Sequence, residues 1–287
     1  MTSPDLPDLP DGVTVTALRD LAVRLATAAG ALVREGRPER VVVAATKSSD
    51  VDPVTVMDRA SEDLLRTMIA QERPDDGILG EEGDDVAGTS GLTWVLDPID
   101  GTVNYLYGVG VWSVSVAVVA GPPDPASWTV LAGCVHSVPD GRTWSAGLGE
   151  GATRDDAPVH VGSAPSLGRA LVGTGFAYDA GRRAQQAGVL ARVLPQVRDI
   201  RRIGSAAVDL CLAGDGSLDL YYERGLNPWD MAAGSLVVAE AGGVVTGLRG
   251  GRPGTAMIVA GPGHLVEELV PILEETDADG AGEAAAG

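Results

Sequence analysis

Lysine is almost missing from this chain: of its 21 basic residues twenty are arginine, and Lys47 stands alone. Aromatics make up only 4%, with a single phenylalanine, Phe176, and there are two cysteines and three histidines. Each shortage excludes something. Forty acidic residues against 21 basic ones give a formal net charge of −19, so no broad cationic face is available for nucleic acid or an anionic membrane. Cys134 and Cys211 lie in apolar surroundings and read as buried free thiols, not as a disulfide framework or a thiolate metal site. The longest apolar run, residues 109–120, is interrupted by Ser113 and Ser115 and is too short to cross a bilayer; it reads as an interior strand. Residues 1–12 carry three Asp and three Pro without a basic or apolar stretch, so a signal peptide is not expected and a cytoplasmic location is. With so few rings, the core has to be Val, Leu, Ile and Ala, and 45% hydrophobic residues over 287 positions are enough to build one. An arginine bias everywhere else leaves two readings of Lys47, a chance survivor or a position that wants a compact ammonium and not a planar fork.

Hydrophobic periodicity predicts a helix over 14–35, through Leu18, Leu21, Leu25 and Leu32, and another over 58–72, which places Asp58 at a helix start where an N-cap is its plainest role. Ile78 to Gly80 and Thr93 to Leu96 read as strands delivering Glu81-Glu82 and Asp97 to their ends. Segments 111–119, 129–135 and 142–146 alternate like antiparallel strands, and 158–167 reads as a connection. Beyond it, strand candidates at 170–173, 199–203, 218–222, 243–245 and 257–260 alternate with helical segments at about 180–194, 205–214, 230–241 and 263–274. The fold class is therefore α/β, with an α+β N-terminal half (13–155) and an α/β C-terminal half (156–276) of one domain. Residues 1–12 and the Gly/Ala-rich acidic stretch 277–287 are expected to be disordered.

The segment from Trp94 to Asn104 ends an apolar strand in two carboxylates, a glycine turn and a hydroxyl: Asp97, Asp100, Gly101, Thr102. Hard oxygen ligands of that kind suit magnesium, and the turn frees N–H groups for an anion. Glu81-Glu82 and Asp230 could complete the shell. Asp-Pro and Asp-Gly are common turn dipeptides and a Glu pair is usually a solvated loop; the signal is the conjunction of separate segments, each presenting an oxygen ligand at a strand end or helix start.

Those blocks, with Thr46 to Ser49, Asp52 to Asp58, Arg201 to Ala207 and Trp229 to Gly234, occur in one order, and the chain resembles the inositol monophosphatase family of metal-dependent phosphatases of small sugar and cyclitol phosphates. The resemblance implies a layered αβαβα sandwich of the inositol monophosphatase and fructose-1,6-bisphosphatase type, two to three Mg2+ ions per site, lithium sensitivity and a homodimer. It implies that Glu81, Asp97 and the Ile99 carbonyl hold one ion, that Asp97, Asp100 and Asp230 hold a second, and that a weaker third contacts Glu81. Thr102, partnered by Asp58 and with Glu81 in support, would handle the proton of the attacking water. The N–H groups of Gly101 and Thr102 would take phosphate oxygens, and Lys47 would close over them. On the alcohol side, Glu223 matches a position that accepts ring hydroxyls, and Gly204-Ser205-Ala206 matches a stretch lining the pocket; Arg201 and Arg202 stay unassigned. One departure stands out: Asn227-Pro228 replaces the His-Cys that precedes Trp-Asp in animal-type members. The expected activity is hydrolysis of myo-inositol monophosphate. The alternatives are the same chemistry on histidinol phosphate, fructose 1,6-bisphosphate or adenosine 3′,5′-bisphosphate, or a chiefly protein-binding regulatory role; a nucleotide substrate would call for more positive charge around the pocket than so acidic a chain promises.

Overall fold

The structure is a computed structural model that describes Pro7 and residues 9–39, 41–46 and 53–281; Lys47 lies outside the described residues. Helix α1 (Val15–Gly36) opens the fold, its N-terminus capped by the Thr14 hydroxyl, which accepts from the Ala17 N–H. A short antiparallel pair, β1 (Ala45–Thr46) and β2 (Pro53–Val54), leads into α2 (Val56–Glu72). Then come β3 (Gly77–Gly80), β4 (Leu92–Asp100), the one-and-a-half-turn α3 (Thr102–Tyr107), β5 (Ser113–Ala120), β6 (Thr129–Ser137), β7 (Thr143–Gly147), β8 (Gly151–Arg154) and β9 (Ala157–Pro158). These form a seven-stranded sheet in sequence order, antiparallel except for the parallel β3–β4 pair. The C-terminal half supplies β10 (Leu171–Thr174), α4 (Ala180–Val193), β11 (Asp199–Arg201), α5 (Ala206–Gly214), β12 (Leu220–Glu223), α6 (Pro228–Glu240), β13 (Val244–Thr246), β14 (Ile258–Gly261) and α7 (Gly263–Glu275). Its five strands run in the order β11-β10-β12-β14-β13.

Period-two alternation within strands assigns side chains to layers. In β4, Trp94 and Leu96 join the core under α1 and α2, while Val95 faces α5 and α6. In β12, Tyr221 faces α5 and α6, and Leu220 and Tyr222 join the outer core with α7. The layers are therefore α1 and α2, the large sheet, α5 and α6, the small sheet, and α4 and α7: the expected αβαβα sandwich. Because helices cover both faces of the large sheet, β5 reads as an unbroken buried run, not an alternating one.

Three differences from the sequence reading have physical causes. The connection begins only after Pro158, because β8 and β9 extend the large sheet as a hairpin too short and too polar for a periodicity signal. The small sheet is mixed: β10 is parallel to β11 and β12, but β14 runs antiparallel to both β12 and β13, which helix and strand alternation alone does not reveal. The C-terminal stretch is packed through Gly280: Ala278 is buried in the outer core, and Arg249 pairs with Asp277 and Asp279. At the other end, Leu9 packs against the core under α1.

Helix α6 meets β6 and α5 through small residues that leave no room for a side chain. A Cβ at Gly133 of β6 would lie 2.9 Å from the Ala233 Cα, and one at Gly234 would lie 2.6 Å from the Leu210 Cβ. Gly133→Val is expected to overpack this seam at a cost of about 1–3 kcal/mol, read as a lower midpoint in thermal or urea unfolding; an unchanged midpoint would show that α6 can move away freely.

Candidate active site

Asp97 and Asp100 are three residues apart, and a regular strand would send them to opposite faces. The structure resolves this with a bulge. Asp97 pairs with Ser115 and Asp100 with Ser113, so three steps on β4 match two on β5, and the extra residue brings both carboxylates to one side. Pro98, which has no N–H to give the ladder, lies inside the bulge. Strand β4 thus runs on to Asp100 instead of stopping at Leu96. Gly101 then turns at φ +92°, where a Cβ would stand 3.0 Å from the Gly204 carbonyl oxygen, and α3 starts at Thr102.

Asp100 is almost fully buried and is held by the start of α5: the N–H groups of Ala207 and Ala206 donate to it at 2.8 and 3.2 Å, and the Ser205 hydroxyl donates as well, with Ser113 at 3.4 Å. The Ile99 N–H donates to Asp97 at 3.1 Å, and the Asn227 N–H to Asp230 at 2.7 Å, in the first turn of α6. Oxygens of Asp97, Asp100 and Asp230 lie within 4.8 Å of one another. Burial pushes the Asp100 carboxyl above its usual range even against those hydrogen bonds, and it pushes Asp230 well above, with the Glu81 and Asp100 charges adding to the effect. Three carboxylates gathered this closely, two of them held above their ordinary range, make a natural seat for a divalent cation.

Asp58 turns out to be the third residue of α2, not its N-cap. Thr55 is the cap, and its N–H donates to Asp58 Oδ2 at 2.8 Å, as does its hydroxyl. The other oxygen, Oδ1, receives the Thr102 hydroxyl at 3.1 Å, while the Ile99 carbonyl lies 3.0 Å from that same hydroxyl. Capping and the link to Thr102 therefore use different oxygens of one carboxylate.

The sequence-expected residues Glu81, Asp97, Ile99, Asp100, Gly101, Thr102, Gly204, Ser205, Ala206, Glu223 and Asp230 all line one cavity of about 490 Å³. Asp58 reaches it through Thr102. Glu81 lies on its wall outside the tight trio, close enough for Asp230 to feel its charge. Burial pushes Glu223 up to about 7, countered by the Tyr221 hydroxyl, which donates to it, and by Arg202. The arginine pair left unassigned divides: Arg201 bonds Asp199 at the surface, and Arg202 lines the cavity with Arg182 and Arg224. Positive charge is thus present at the pocket, contrary to what overall composition promised.

Sequence reasoning missed Glu62. It is buried on α2, paired with Arg66, and accepts the Glu82 and Gly83 N–H groups at 2.8 and 2.9 Å, so it fixes the turn that presents Glu81. Its only signal was an acid four residues before an arginine on a helix, a pattern shared by countless surface pairs. Asn104 was also missed; its side-chain amide donates to the carbonyls of Val111 and Ile203, tying α3 to the loop before α5.

Raised carboxylate pKa values mean that protons compete with a cation for this site. Mg2+ is therefore expected to raise the unfolding temperature of chelator-treated protein more at about pH 7.5 than at about pH 5.5. In the metal-free protein, groups whose folded pKa lies above the unfolded value favour folding at low pH and withdraw that support as pH rises through the folded pKa. Differential scanning calorimetry at the two pH values checks this, and an equal Mg2+ effect at both contradicts it.

The family model described as the inositol monophosphatase family matches residues 15–278. The inositol-1-monophosphatase SuhB of Mycobacterium tuberculosis is 44% identical over 277 residues, covering 90% of this chain and 93% of that protein. A Pasteurella multocida protein named Nus factor SuhB is 34% identical, covering 89% of this chain and 92% of its own length. The crystal structure of the extragenic suppressor protein suhB from Bartonella henselae superposes with a TM-score of 0.81 at 30% identity, covering 90% of this chain and 98% of that one. With the layers, the bulge and the carboxylate trio in place, the chain belongs to the inositol monophosphatase family.

Proposed function

We propose that the protein is a magnesium-dependent phosphomonoesterase that hydrolyses myo-inositol monophosphate to myo-inositol and phosphate. The observation that carries this reading is the meeting of Asp97, Asp100 and Asp230 within 4.8 Å in the cavity that Thr102 and Glu223 also line. The donors are all hard oxygens, which fits Mg2+. Glu81, Asp97 and the Ile99 carbonyl would hold one ion, Asp97, Asp100 and Asp230 a second, and Glu81 a weaker third. Bound there, the ions supply Lewis acidity toward the phosphoryl group and the attacking water.

The remaining work belongs to the chain. The Thr102 hydroxyl has one proton and points it at Asp58 or the Ile99 carbonyl, which leaves its lone pairs to accept a hydrogen bond from water in the cavity. Asp58, fixed by Thr55, orients that hydroxyl, and Glu81 assists as a base. The N–H groups of Gly101 and Thr102 would take phosphate oxygens, and Lys47, outside the described residues, is assigned to close over them. Glu223 accepts hydroxyls of the alcohol, and Gly204, Ser205 and Ala206 leave room for its ring. The same reading includes a cytoplasmic homodimer.

Phosphate release from inositol 1-phosphate in the presence of Mg2+ tests the reading, with lithium expected to inhibit. Asp97→Asn is expected to abolish turnover while leaving the far-ultraviolet circular dichroism unchanged; full activity in that variant would contradict the metal assignment. Glu223→Ala is expected to reduce kcat/KM for inositol 1-phosphate more than for β-glycerophosphate, and an equal loss on both would remove its role in recognition. Fructose 1,6-bisphosphate, histidinol phosphate and adenosine 3′,5′-bisphosphate belong in the same assay, where the ranking of kcat/KM names the substrate.

A further inference from the structure

Two guanidiniums at the alcohol end of the cavity are not used by the fold. Arg182 and Arg183 are neighbours in the first turn of α4, where a cation gains nothing from the helix dipole. Arg183 has local work: its Nη1 donates to the Ala177 and Tyr178 carbonyls at 3.2 and 2.8 Å. Arg182 is exposed, lines the cavity, and makes no side-chain hydrogen bond or ion pair among the described residues. The second arginine pair divides the same way. Arg201 bonds Asp199 and the Ile200 carbonyl, whereas Arg202 is exposed, lines the cavity and makes no such bond among the described residues. Arg224, the third arginine of the lining, donates to Gln185 at 3.1 Å and packs on Gly280.

Arg182 Nη1 lies against Gly225, where a Cβ would stand 2.7 Å from it, and Arg202 Nη1 lies against Gly204. Gly225 is two residues past Glu223, and Gly204 opens the stretch assigned to the ring, so both guanidiniums border the alcohol and not the metal trio. No nearby carboxylate pairs with either: Glu223 accepts the Tyr221 hydroxyl, Asp209 is buried, and Asp179 caps α4 by accepting the Arg182 N–H. A guanidinium presents its N–H donors in a plane that matches the oxygens of a phosphate. A monophosphate has its only phosphoryl group at the metal trio, so an anion taken here has to be a second one, carried by the alcohol.

We propose that Arg182 and Arg202 form an anion subsite at the alcohol end of the cavity, which extends the substrate class to cyclitol phosphates with a second phosphate across the ring. The proposal rests on the cyclitol phosphatase reading, and a matched substrate pair separates the two. Inositol 1,4-bisphosphate keeps the ring and the 1-ester of inositol 1-phosphate and adds a phosphate at the far side. Wild-type protein that releases phosphate from neither in the presence of Mg2+ would overturn the cyclitol reading, and this proposal with it. Turnover of inositol 1-phosphate with none of the bisphosphate would overturn the proposal alone. Given turnover of both, the double variant Arg182→Ala, Arg202→Ala is expected to lower the ratio of the two kcat/KM values, bisphosphate over monophosphate, at least about tenfold, mainly through KM. The corresponding double lysine variant keeps both charges and is expected to restore part of that ratio; it supplies the measurement should the alanine variant fail to fold. A ratio within about twofold of wild type in the folded alanine variant, or an equal fall on both substrates, would assign the arginines to the surroundings of Glu223 instead and overturn the proposal.

Discussion

Like charges gathered in a small space are the constraint on which this structure turns. At 4.8 Å, two carboxylates repel by roughly 3 kcal/mol at an effective dielectric constant of about 20, and the site brings together three of them with Glu81 close by, in a protein whose net charge is already −19. That repulsion is comparable to what one or two charge-assisted hydrogen bonds return. The fold answers with neutral donors: the first turn of α5 and two serines around Asp100, the Asn227 N–H at Asp230, the Ile99 N–H at Asp97. None of these donors is a cationic side chain.

Every layer contributes to holding these groups in register. The bulge in β4 needs β5 as its partner, α5 must meet the end of β4 at Asp100, and α6 must lie close enough to β6 to bring Asp230 into the trio. Gly133 and Gly234 permit that last approach. The contact of glycine with backbone or a short side chain leaves little play, which suits a site whose charges have to be positioned and not merely present. Glu62 extends the same logic outward: it is a buried carboxylate matched by Arg66 and by two N–H groups, and it orders a turn instead of binding a metal.

Much of this was legible beforehand, and where it was not, the reasons are specific. Helix α1 and helix α2 declared themselves through long apolar stripes, and the Asp97 to Thr102 loop through residue types that few other sites require together. The role of Asp58 was only half visible, because a first-turn acid reads as a cap whether or not its second oxygen has another partner. Strands β8 and β9, the antiparallel placement of β14 and the packed stretch to Gly280 left no local signal, since pairing partners far apart in sequence create them. Arg202 and Asp209 were anonymous for the same reason: an arginine beside another arginine and an acid in a helix look solvated until the opposite wall of the cavity is known.

The sequence by itself determined the candidate carboxylates, the layered α/β class and the family, because hard carboxylates, glycine turns and apolar periodicity are properties of residue type and local spacing. Tertiary structure alone decided which oxygens face one another. Faces are set by register, and a one-residue bulge at Pro98 is what puts Asp97 and Asp100 on the same side. It also decided that Glu223 and Asp209 come to one cavity, packed against Gly175 just past β10 and Gly173 within it.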